Sequence, residues 1–93
     1  MTMNKLLTTL LLAAAALGVQ AETVDGEVRK IDRAAGKITL KHGDIKSLDM
    51  PGMTMVFRVR DAKLLDGLAE GAKVSFEAEK IDGQYTVTRI APK

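Results

Sequence analysis

Three methionines, Met50, Met53 and Met55, fall within six consecutive residues of a 93-residue chain that has five methionines in all and no cysteine. The single histidine, His42, precedes them. Thioethers are neutral, polarizable donors that select Cu(I) over Mg²⁺, Ca²⁺ or Zn²⁺ and by the same softness suit Ag(I), and an imidazole nitrogen completes such a set. They also form no disulfides, so the set stays available to a metal in an oxidising compartment. Taken singly, each methionine reads as ordinary core filling and His42 as a surface histidine. Their clustering favours a soft-metal site at His42, Met50, Met53 and Met55. Met50-Pro51-Gly52-Met53 has the form of a type II turn, with proline setting φ at the second position and glycine taking positive φ at the third, which would bring two thioethers together. Met55 lies two residues further along the same strand face, about 6.5–7 Å from Met53.

Other chemistry finds fewer residues. The chain's only serines are Ser47 and Ser75 and its only histidine is His42, so no nucleophile, base and orienting group can be assembled, and the expectation is a protein that is not an enzyme. Asp44 and Asp49 suit a loop as solvated turn formers. They also open an alternative, a harder Cu(II) or Zn²⁺ site on His42 with Asp44 and Asp49.

The elements that must position these residues follow from the hydrophobic pattern. Residues 23–32 and 37–41 suit strands around a turn closed by Gly36, with Ile38 and Leu40 on one face and His42 continuing that parity. Residues 53–60 form a third strand, with Met53, Met55, Phe57 and Val59 on one side and Val56 as the exception. Asp61 can cap a short helical turn that presents Leu64, Leu65 and Leu68 to the core and ends at Gly71. Residues 73–80 alternate, with Val74, Phe76 and Ala78 inward, and Asp82-Gly83 turns the chain into a fifth strand, 84–90. This order predicts an all-β fold, a small five-stranded OB-fold-like barrel with a short helical turn between strands 3 and 4. The alternative for such a barrel is an exported module for oligonucleotides or saccharides, with Phe57, Phe76 and Tyr85 as the possible stacking platforms.

Composition bounds the rest. Hydrophobic residues make up 46% and charged residues 28%, which places the chain among folding domains. A formal charge of +2, from 14 basic and 12 acidic residues without long basic runs, argues against nucleic acid as a partner. Lys5, the uncharged stretch 6–18 and Val19-Gln20-Ala21 read as a secretory signal peptide, too short to span a bilayer and ending in a small-x-small pattern. The expectation is therefore a signal peptide over 1–21 and a periplasmic domain over 22–93, monomeric and free of the membrane after cleavage.

The stretch KITLKHGDIKSLDMPGMTMVF resembles the CusF-like periplasmic copper- and silver-binding proteins associated with Cu(I)/Ag(I) efflux. The histidine, the proline two residues before the first of a Met-Thr-Met pair, and the loop length between them follow the family motif without a gap. The resemblance implies an OB barrel, Cu(I) or Ag(I) as bound cargo, ligands at His42, Met53 and Met55, and the periplasmic component of a metal efflux pump as partner. Two positions depart from the pattern. A tryptophan that packs over the metal in the best-known members is Met50 here, so a cation–π cap is absent and Met50 is either a fourth ligand or an apolar lid. The family's usual glutamate after the proline is Gly52.

Overall fold

The computed structural model describes residues 22–93, and the signal-peptide reading of 1–21 lies outside the described residues. Five strands form: β1 Val24–Asp32, β2 Lys37–His42, β3 Met53–Val59, β4 Lys73–Ile81 and β5 Gln84–Pro92. They close into a barrel in the order β1-β2-β3-β5-β4. The ladders β1–β2, β2–β3, β4–β5 and β1–β4 are antiparallel. A short parallel seam between β3 and β5, Arg58 with Thr86 and Val59 with Val87, completes the circle. This is the all-β five-stranded barrel that the sequence pattern predicts.

Local chemistry explains the corners. Asp32 accepts a hydrogen bond from the Ala35 N–H at 3.0 Å, and Gly36 takes φ +65 to bring the chain back into β2. Asp82 and Gly83 both have positive φ, 52 and 78, as a two-residue hairpin with the right-handed twist of its strands requires. A bulge in β1 between Val28 and Lys30 shifts the register, so that Val24, Val28 and Ile31 all reach the interior. Phe57, Phe76, Ile38, Leu40, Ile45, Leu65, Val28, Val74 and Val87 are the fully buried side chains at its centre. Val56, which breaks the alternation of β3, is exposed on the outer face.

The helical turn is shorter than the sequence suggests. It is a 3₁₀ turn, Ala62–Leu65, capped by the Asp61 carboxylate, which accepts the Lys63 N–H at 2.9 Å. Only Leu65 is fully buried, while Leu64 and Leu68 are half-buried. Gly71 does not end the turn. It has φ +86 and donates its N–H to the Val28 carbonyl at 2.7 Å, where the connection rejoins β1 beside the bulge.

Candidate metal site

The parity of β2 carries Ile38, Leu40 and His42 into the barrel, and the strand does run as far as the histidine. Across the β2–β3 ladder Ile38 pairs with Phe57, Leu40 with Met55 and His42 with Met53. Directly opposed residues share a face, with Cβ atoms about 4.5–5.5 Å apart. His42, Met53 and Met55 are therefore gathered at one end of the barrel by register alone. Exposure rises toward that end along β3: Phe57 is fully buried, Met55 half-buried, and Met53 44% exposed at the rim.

His42 is 5% exposed. Its Nδ1 lies 2.7 Å from the Gly43 carbonyl oxygen, which can only accept, so Nδ1 carries the proton and donates it there. In the neutral ring this leaves the lone pair on Nε2. Nε2 is buried and has no hydrogen-bond partner. Leaving such an acceptor unsatisfied costs about 1–3 kcal/mol, so the site has an unmet demand that a metal ion would meet.

Aromatic packing holds the ring in place. His42 stands edge-on to Phe57, with centroids 5.4 Å apart and planes at 69°, and to Phe76, at 6.2 Å and 77°. The two phenyl rings are themselves 5.6 Å apart at 67°. Gly26, opposite His42 on β1, allows this arrangement. A Cβ there would sit 3.0 Å from the Phe76 ring edge and 3.2 Å from the Lys41 carbonyl oxygen. The alternation of β4 predicts Phe76 as an inward residue, and its burial agrees. Gly26 is the residue that sequence reasoning missed, and a glycine within an alternating strand is the available signal for a close approach.

Met50 is positioned differently. Ile45 and Met50 form an isolated bridge with Ile45 N–H to Met50 oxygen at 2.8 Å and Met50 N–H to Ile45 oxygen at 3.1 Å. Between them lies a 3₁₀ turn, Lys46–Leu48, and Asp49 takes the left-handed conformation at φ 52. Met50 is only 9% exposed and belongs to the core cluster. The expected type II turn over Met50 to Met53 does not form, because Gly52 is not among the positive-φ residues. The reversal is made one step earlier, at Asp49. Gly52 instead serves close approach: a Cβ would lie 3.2 Å from the His42 carbonyl oxygen, and its N–H donates to the Asp44 carboxylate at 2.7 Å.

The harder metal set does not assemble. Asp44 is exposed and committed to Gly52, Asp49 is exposed in the turn, and among the described residues no group of three His, Cys, Asp or Glu side chains could hold an ion. The stacking surface for bases is missing as well. Phe57 and Phe76 are buried in the core, and Tyr85 is half-buried with the Lys80 ammonium 5.6 Å from its ring centroid.

The model of the family described as the copper-binding periplasmic protein CusF matches residues 21–92. Among solved structures, apo-CusF from Escherichia coli is 27% identical, with a TM-score of 0.70, covering 80% of this chain and 88% of that one. The Ag(I) form of CusF from Escherichia coli is 27% identical, with a TM-score of 0.69, over 80% and 92% of the two chains. The C-terminal domain of SilB from Cupriavidus metallidurans is 26% identical, with a TM-score of 0.64, over 81% and 90%. No curated protein matches the sequence.

Proposed function

The chain belongs to the family of the copper-binding periplasmic protein CusF, and from that premise we propose that it is a carrier of Cu(I) or Ag(I) and not a catalyst. His42 Nε2 and the thioethers of Met53 and Met55 hold the ion, and Met50 supplies a further sulfur from the loop. Residues 1–21 direct export to the periplasm and are removed there. The ion passes on to the periplasmic component of a metal efflux pump, as the family resemblance implies. The observation that supports this most is His42 itself, with Nδ1 committed to Gly43 and Nε2 buried without a partner opposite Met53. A neutral donor set at a partly open rim suits a soft monovalent ion that must be both held and released.

Anaerobic titration with Cu(I), beside Zn²⁺ and a mixed oligonucleotide pool, tests the reading. Saturable binding of one Cu(I) per chain with neither of the other two is the expected result. Preference for Zn²⁺ or for the oligonucleotides would overturn it.

A further inference from the structure

Glu22 reaches from the start of the described chain to the loop that carries Met50. One carboxylate oxygen accepts the Lys46 N–H at 3.0 Å and the other the Ser47 N–H at 2.9 Å. These two amides open the 3₁₀ turn Lys46–Leu48, where N–H groups lack partners within the turn. The residue in the capping position, Ile45, offers no side-chain hydrogen bond. A carboxylate twenty-four residues away in sequence does the capping instead. The second arm of the loop is tied down by Asp44 through the Gly52 N–H.

We propose that Glu22 is a positioning residue for the metal site: it clamps the Ile45–Met50 turn against the entry to β1 and so holds the Met50 sulfur where the ion needs it. The proposal rests on the reading that Met50 is a ligand. Both oxygens are used, each in a charge-assisted hydrogen bond to an amide that would otherwise turn to water. The backbone N–H groups of Ser47 and then Lys46 hold the Glu22 carboxyl below its ordinary pKa. By sign, a lowered carboxyl leaves the clamp complete above the ordinary glutamate range, and it is lost as pH falls through the lowered value. Because Glu22 lies at the surface, its effect is local, on one turn, and contributes little to global stability.

The test combines affinity with amide NMR on purified protein. Replacing Glu22 by Ala should weaken Ag(I) binding about five- to tenfold, in line with the loss of a capping side chain, and Glu22→Gln, which keeps one acceptor, should recover part of it. In a Met50→Leu background Glu22→Ala should cost nothing further, since the two act through one sulfur. The Lys46 and Ser47 amides should titrate together with a carboxyl below the usual range. Equal loss in both backgrounds would reduce Glu22 to a general structural role, and tight binding by Glu22→Ala would remove its role altogether. A wild-type chain that takes up no Ag(I) while those amides still titrate would instead remove the metal reading itself.

Discussion

His42 and Met53 face each other across the β2–β3 ladder, yet the imidazole is almost wholly buried and the methionine is 44% exposed. One of the two proposed ligands is thus fixed in the protein's interior and the other stands at the solvent edge. An ion bridging them would sit at the boundary, anchored from below and reachable from outside.

Replacing His42 by Leu should abolish high-affinity Ag(I) binding without harming the apo fold. The substitution removes an unsatisfied buried nitrogen, so apo stability should stay level or rise by about 1 kcal/mol. Thermal melts with and without Ag(I) report both effects. The wild type should gain Tm with ligand by mass action, and His42→Leu should not. A large drop in apo Tm would mean that the Gly43 hydrogen bond matters more to the fold than the unmet Nε2.

Met50→Leu keeps volume and apolarity and removes only sulfur. Affinity for Cu(I) should fall about tenfold or more, roughly 1.4 kcal/mol per decade. X-ray absorption on the wild-type Cu(I) form should count three sulfurs and one nitrogen. Two sulfurs and one nitrogen, with affinity unchanged in the variant, would reduce Met50 to an apolar lid.

Cu(I) affinity should decline on acidification by no more than about tenfold per pH unit, because one proton competes for one ligand atom, His42 Nε2, and thioethers carry none. Competition titrations across a pH series give the slope. A slope of two would require another titrating ligand.

Gly26→Ala places a methyl 3.0 Å from the Phe76 ring edge and 3.2 Å from a backbone oxygen. Overpacking of this kind costs about 1–3 kcal/mol. The displaced Phe76 should loosen His42 as well, so reduced Tm and weakened Ag(I) binding are expected together. Unchanged affinity would show that Phe57 alone suffices to hold the ring.

Intact mass of protein recovered from the periplasm should correspond to a chain beginning at Glu22, with 1–21 removed. A mass that retains 6–18 would contradict the signal-peptide reading.

Period-two alternation makes the inward face of β2 and β3 readable in the sequence, and with it the juxtaposition of His42, Met53 and Met55. The loop is less readable. Met50-Pro51-Gly52-Met53 carries the composition of a type II turn, but the Ile45–Met50 bridge and the contact between Asp44 and Gly52 decide its path. Those constraints appear only when the two ends of the loop are brought together by β2 and β3. Phe76 is legible as an inward residue of β4, but its place beside His42 is not, and Gly26 escapes notice for the same reason: they come from β4 and β1, and only barrel closure sets them behind the imidazole. The Glu22 contact joins two segments that no local pattern links.

The barrel's two closures are unequal. β1 meets β4 over Val24 to Glu27, whereas β3 meets β5 through only Arg58 and Val59. Such a short parallel seam is where native-state fluctuations should part the strands first, and where amide hydrogen exchange should be fastest within the sheet. Arg58 lies five residues along β3 from Met53, about 17 Å at the rise of an extended strand. Breathing of the barrel and the proposed metal site thereby fall at opposite ends of one strand, so the protein could flex at its seam without disturbing His42 and Met53.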